Sequence, residues 1–365
     1  MNNNIDKFSP DTLSDDYGLT DNKRKRGKHK RSDKNKKPAP AITIILLITA
    51  IISVAANIFL LVTDHTRTQS TVARLEAKDI EAAKASEKDE LLTTIRGQFE
   101  DGSSTLSVLK QLYPDNIVYV NKSGSYVFAD IDNSLARTEY STSGFKREAN
   151  GFMSYTGDNV TKTYTGVDLS RYNSDIDFAK AKASGIDYAM IRCGYRAYGS
   201  GLLVKDTSFE KYITDALTNN VDVGIYFYTQ AVNANEAVEE AEYVLDLIRP
   251  YNVTYPVAID IEAIENDTFR QQKLSASELT DVVIAFCDTI KAAGYTPLVY
   301  SNLLYFMDNV ELNRLEAYDK WFAGYQTAAP YYPYRYTMWQ YTSTGSVPGI
   351  TGNVDINICF KNYKG

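Results

Sequence analysis

The sequence predicts an α/β protein whose last two hundred residues form a closed eight-stranded barrel, preceded by one transmembrane helix, a helical stalk and a small β-rich module. Three observations predict it. From Thr165 onward, apolar strand-like runs alternate with amphipathic helical ones. Three further strand-like runs (DKWFAGY, YRYTMWQYT, VDINICF) then follow with little helix between them. Upstream, residues 41–62 carry no charge at all.

The N-terminal elements come first. Residues 1–40 hold 11 Lys/Arg against 6 Asp/Glu, so a basic tail opens a chain whose overall charge is -7. The basic part is a short tail and not a folded basic face, which argues against nucleic acid as a partner. Residues 41–62 (AITIILLITAIISVAANIFLLV) would span roughly 33 Å as a helix, against about 30 Å of bilayer hydrocarbon. Ten Lys/Arg lie between Lys23 and Lys37, while the far side opens with Asp64 and soon becomes acid-rich. The positive-inside rule therefore predicts a single-pass signal anchor with a cytoplasmic N-terminus and everything after Val62 outside. A cleaved signal peptide has a shorter basic region and a shorter apolar core than these. Residues 63–113 are rich in Ala, Glu, Lys and Leu with an imperfect apolar stripe through Val72, Leu75, Ile80, Leu91, Leu92, Ile95 and Phe99, which predicts a helical stalk. Its heptads are not sustained, so self-association through the stalk stays open beside a single helix. Residues 114–163 alternate in short runs and read as a β-rich module or linker, with spacer as the default role.

Residues 164–365 form the barrel domain. Its first five strands are followed by helical runs and its last three are not; in such barrels chemistry sits at the C-terminal ends of the strands. The chain has only two histidines, His29 and His65, so a domain built from the rest has no imidazole. That excludes Ser-His-Asp and Cys-His nucleophile systems and His-ligated zinc. Cys193, Cys287 and Cys359 match no metal spacing and no disulfide framework, and read as small buried hydrophobes.

In the fourth strand, PVAIDIE (256–262), alternation turns Val257, Ile259 and Ile261 to one face and Ala258, Asp260 and Glu262 to the other. Two carboxylates crowded in a partly dry cleft raise one pKa, and a carboxyl kept protonated near neutrality serves as a general acid. Asp168 ends the first strand and Asp355 sits in the last, so four acids are expected to converge. Such a cluster suits glycoside hydrolysis; a hard-cation site is the competing reading. Tyrosine supports sugar: 22 of 28 lie between Tyr164 and Tyr363, including Tyr226 and Tyr228 in the third strand.

These residues resemble glycoside hydrolase family 25, the Chalaropsis-type lysozymes or N-acetylmuramidases. The resemblance is carried by GVDLSRYN (166–173), AIDIE (258–262), PLVYSN (297–302), WFAGY (321–325) and WQYTSTGSVPGITGNVDINIC (339–359), in the family's order. It implies an incomplete TIM-like (β/α)5β3 barrel and cleavage of the β-1,4 bond between N-acetylmuramic acid and N-acetylglucosamine, without metal or cofactor. Matched position by position, it implies Glu262 as general acid/base and Asp260, Asp168 and Asp355 as the other active-site carboxylates. Tyr228, Tyr226, Trp339, Gln340 and Tyr300 are the expected substrate-binding residues. The second step is left open between the substrate's own acetamido group, oriented by Asp260, and a water molecule. Against a chitinase of the Asp-x-x-Asp-x-Asp-x-Glu type, its two earlier acids are here Tyr255 and Ala258. The expected partners are peptidoglycan glycan strands and, through residues 41–62, the membrane, for local wall opening or remodelling. The alternative is a weakly active peptidoglycan-binding module that recruits a cell-wall or secretion machine.

Overall fold

The computed structural model describes residues 40–157, 159–264, 267–325 and 327–364. The basic stretch from Lys23 to Lys37 lies outside them. The chain divides into two compact units, Met1–Leu92 and Thr93–Gly365. Helix α1, Pro40–Glu100, has neither Pro nor Gly in its interior until Gly97. From Ile44 to Val62 its large apolar side chains are all exposed, and by length and composition it is long and apolar enough to cross a membrane.

In the second unit, α2 (Thr105–Leu112) starts at Ser104, whose side chain accepts from the Ser107 amide. Two antiparallel pairs follow: β1 (Asn116–Val120) with β2 (Tyr126–Asp130), and β3 (Phe145–Arg147) with β4 (Met153–Tyr155). The barrel then runs β5 (Tyr164–Leu169), α3 (Phe178–Ala183), β6 (Tyr188–Arg196), β7 (Leu203–Lys205), α4 (Phe209–Thr218), β8 (Asp222–Tyr228), α5 (Ala234–Ile248) and β9 (Val257–Asp260). It continues with α6 (Ala276–Ala292), β10 (Pro297–Asn302), α7 (Leu303–Asp308), β11 (Asp319–Ala323), β12 (Met338–Gly345) and β13 (Val354–Cys359). The sheet order is β5-β13-β12-β11-β10-β9-β8-β6, closed by pairing of β5 with β6, with β7 added at the side of β6. Helices begin where the sequence supplies caps: Asp177, Asn233 and Asn302 each accept from an amide of the first turn, and Ser275 with Glu278 completes a capping box before α6.

Two features differ from the sequence reading. The barrel strands are parallel up to β12, the added β7 lying antiparallel on β6, but β13 is antiparallel to both β12 and β5. Between β12 and β13 lies a short turn without a helix, which can only reverse the chain. Gly349 in that turn has φ 93° and sits where a Cβ would meet the Asp177 carbonyl at 2.5 Å.

The second difference concerns residues 114–163, which are no detached spacer. Ile117, Tyr119, Leu135, Phe152, Met153 and Tyr155 belong to the same core as the outward side chains of the barrel strands. The backbone amides of Val118 and Asp132 donate to the hydroxyls of Tyr331 (2.9 Å) and Tyr334 (3.0 Å). Tyr140 stacks on Phe360 at 4.1 Å, and Phe145 meets Trp339 edge-on at 5.3 Å. Among the described residues no α-helix follows β11 or β12, and this segment covers their outer faces instead.

Candidate active site

Alternation along the barrel strands sorts the side chains. Val167, Leu169, Val257, Ile259 and Ile261 face outward into the helix layer, while Tyr188, Met190, Tyr255, Ala258, Leu298, Trp321 and Met338 fill the interior. The lower interior is dense: Tyr188 stacks on Tyr255 at 4.4 Å, and a Cβ on Gly166 would lie 2.3 Å from the Tyr188 ring. Above this plug, a cavity of about 490 Å³ opens at the C-terminal ends of the parallel strands.

Asp168, Asp260, Glu262 and Asp355 all line that cavity, with Tyr226, Tyr228, Tyr300 and Gln340. Asp168 is the penultimate residue of β5, Asp260 the last of β9, and Glu262 lies two residues beyond it, half-buried. Asp355 is only the second residue of β13, and it reaches this end because β13 runs backwards: it pairs directly with Asp168. Had β13 been parallel, its first residues would have lain at the opposite end of the barrel.

Asp168 is buried, and its Oδ2 accepts from Gln340 Nε2 and Asn357 Nδ2, both at 2.8 Å. Asn357 in turn accepts from Trp321 Nε1 (2.8 Å), and Gln340 Oε1 accepts from the hydroxyls of Tyr300 (2.8 Å) and Tyr325 (2.5 Å). Five side chains on different strands and loops thus hold one carboxylate in place. Burial pushes the Asp168 carboxyl up to about 6, against the opposing pull of the hydrogen bonds from Asn357 and Gln340. Burial, and then the charge of Asp168, push Asp355 up to about 8. Asp260 is held well above the usual carboxylate range by burial and by repulsion from Glu262, with Arg192 acting against both. Asp260 Oδ1 is buried with no hydrogen-bond partner among the described residues, so an acceptor in the cavity wall is left for a ligand. Tyr228 and Tyr300 flank Asp260 in register on β8 and β10, placing an aromatic on either side of it.

Such an arrangement can hold protons near neutrality, accept from ligand N–H or O–H groups, and offer ring faces to sugar carbons. Among the described residues, no group of three or more His, Cys, Asp or Glu is placed to hold a metal ion.

One expected residue is elsewhere. Trp339 lies on the outer face of β12, fully buried, with Nε1 donating to the Gly324 carbonyl at 2.8 Å and its ring against Phe145 and Tyr341. Neighbours on a strand point to opposite faces, so Trp339 and Gln340 cannot both reach the cavity. The tryptophan that does reach it is Trp321, edge-on to Tyr300 at 4.5 Å. Arg192, Asn357 and Tyr325 also belong to the site, and the sequence reading does not single them out. Two of them carry signals: Asn357 follows Asp355 at the same-face spacing, and Arg192 is a charge set in the middle of the apolar run of β6.

A model of the family described as Glycosyl hydrolases family 25 matches residues 167–350. Asp168, Asp260, Glu262 and Gln340 lie inside that stretch, and Asp355 and Asn357 beyond it. Over 192 residues the chain is 26% identical to an autolytic lysozyme of Clostridium acetobutylicum, covering 53% of this chain and 54% of that protein. It is 25% identical over 206 residues to lysozyme M1 of Streptomyces globisporus, covering 54% of this chain and 68% of the other. A solved family 25 glycosyl hydrolase from Bacillus anthracis superposes with a TM-score of 0.47 at 20% identity, covering 57% of this chain and 93% of that one. The chain thus spans about half the length of the first of these curated relatives.

Proposed function

The chain belongs to glycosyl hydrolase family 25, and from that premise we propose that its (β/α)5β3 barrel cleaves the β-1,4 bond between N-acetylmuramic acid and N-acetylglucosamine in peptidoglycan. The observation that carries this reading is the convergence of Asp168, Asp260, Glu262 and Asp355 on one tyrosine-walled cavity at the strand ends. In the proposed reaction Glu262 gives its proton to the glycosidic oxygen as the bond to the anomeric carbon breaks and its electrons pass to that oxygen. Asp260, with an unpartnered oxygen in the cavity wall, orients the group that then bonds to the anomeric carbon, and Asp168 and Asp355 shape the field around it.

Helix α1 serves as the membrane anchor in this reading, with the barrel on the outer side facing the wall. Two of its polar side chains bond back to the helix, Thr49 donating to the carbonyls of Ile45 and Leu46 and Asn57 to that of Ser53, which lowers their cost in hydrocarbon.

Digestion of purified peptidoglycan by the detergent-solubilised full chain, with mass spectrometry of the released sugars, tests the activity. Fragments with reducing N-acetylmuramic acid ends are expected, with a loss of about 10²–10⁴-fold in Glu262→Gln, the usual worth of a general acid. Binding to the wall without release would favour the recruiting module instead. Protection of residues beyond 93 from protease in sealed, right-side-out cells would overturn the topology.

A further inference from the structure

Beside the acids, the cavity has a cationic wall that the proposed reaction does not use. Arg171, on the turn after β5, and Arg192, on β6, both line the cavity, and both lie over the rings of Tyr172 and Tyr195. The two cations are in different states. Arg192 is almost wholly buried and paired with Asp206, whose Oδ2 lies 2.7 Å from both its Nε and its Nη2. Arg171 is exposed, and among the described residues no carboxylate forms an ion pair with it.

Arg171 is nevertheless held in place. Its guanidinium carbon sits 5.1 Å from the Tyr172 centroid and 5.0 Å from that of Tyr195. Its Nη1 donates to the Tyr195 hydroxyl (2.8 Å) and its Nη2 to that of Tyr172 (3.2 Å). Its backbone amide donates to the same Asp206 Oδ2 that holds Arg192 (3.1 Å), and Ser170 and Asn173 close the turn around it with two bonds of 2.9 Å. A guanidinium has five N–H donors in a rigid fork, so three remain for a planar anion. A free surface arginine would lose rotamer entropy on binding one; here much of that loss has already occurred on folding.

We propose that Arg171, braced by Tyr172 and Tyr195, is a carboxylate-binding subsite that docks an acidic group carried by the glycan strand. The inference rests on the peptidoglycan reading above, and that polymer offers two sources of the same chemistry: the lactyl carboxylate of peptide-free muramic acid and the free carboxylates of the stem peptide.

The test uses the detergent-solubilised full chain on four soluble substrates: strands bearing stem peptides, strands stripped of them by an amidase, and each of these with carboxyls converted to amides by carbodiimide and ammonia. Wild type is expected to prefer at least one carboxylate form over its amide. Arg171→Gln is expected to reduce that preference by roughly tenfold, about 1.4 kcal/mol, chiefly through KM. Arg171→Lys, which keeps the charge and loses the fork, is expected to fall between. Loss confined to the peptide-bearing arm assigns the stem carboxylates, and loss confined to the stripped arm assigns the lactyl group. A merely structural role for Arg171 would lower the rate on charged and amidated strands alike, leave the ratio unchanged, and so overturn the subsite. Wild-type cleavage with no preference would overturn it too, with the activity intact. If wild type cleaves none of the four, the activity falls and the subsite with it.

Discussion

The outward and inward faces of the barrel strands come from the same eight segments and hold different chemistry. Outward, Val, Ile and Leu of β5, β6, β8 and β9 join the helices in an apolar layer, and the outward aromatics of β11 and β12, with Phe360 just past β13, join residues 114–163 in the same way. Inward, the strands carry Asp168, Asp260, Gln340 and Asn357, buried polar groups that are costly unless paired. The two tryptophans mark the contrast. Trp339 faces out, with its one donor on a backbone carbonyl; Trp321 faces in, with its donor on Asn357 and so in the chain of bonds to Asp168. Stability is expected to depend on one face and proton chemistry on the other.

The largest effect should come from the outer face. Trp339→Ala is expected to cost roughly 3–5 kcal/mol in denaturant unfolding, the usual loss for a buried large aromatic, with turnover per folded molecule unchanged. A fall in turnover without a fall in stability would erase the distinction between the faces. Next comes Asn357→Leu, close in size but unable to donate to Asp168 or accept from Trp321. Losing that donor should raise the Asp168 carboxyl further above about 6, moving the acid limb of the rate–pH profile up by roughly one unit, while the stranded indole N–H costs about 1–3 kcal/mol. An unmoved limb would mean that Asp168 does not set it.

The smallest effect concerns Asp355, whose carboxyl is raised to about 8. Between the ordinary carboxylate range and pH 8, the folded state keeps a proton that the unfolded chain has released, so this group makes stability fall as pH rises through that window. Asp355→Asn removes the dependence. The melting temperature of the variant should therefore exceed that of wild type by an amount that grows from pH 5 to pH 8, reaching about 2–4 °C for each kcal/mol recovered. A gap that shrinks with pH would contradict the direction of the shift.

How much of this was legible in the sequence follows from the same alternation. The period of two in AIDIE is enough to put Asp260 and Glu262 on one face and the apolar residues on the other, and both lie where it puts them. The same rule applied to Met338-Trp339-Gln340 separates Trp339 from Gln340, but it cannot say which of the two faces inward. In the sequence, the convergence of Asp355 with Asp168 rests on closure of the barrel and on the family resemblance; the reversal of β13 that brings it about depends on how a short turn docks through Gly349 onto Asp177. Tertiary bonds also decide the role of residues 114–163, since Tyr331 and Tyr334, two of the 22 tyrosines counted toward sugar, bond this segment to the barrel.

That segment also constrains the order in which the protein can be made. Val118 and its anchor Tyr331 lie 213 residues apart. At roughly 5–20 residues per second of synthesis, the apolar face of the β1–β2 hairpin waits about 10–40 s for the strands that cover it. Until those strands arrive Ile117 and Tyr119 lack the partners that bury them in the folded core, so the early hairpin is a stretch on which a holding chaperone could compete with folding.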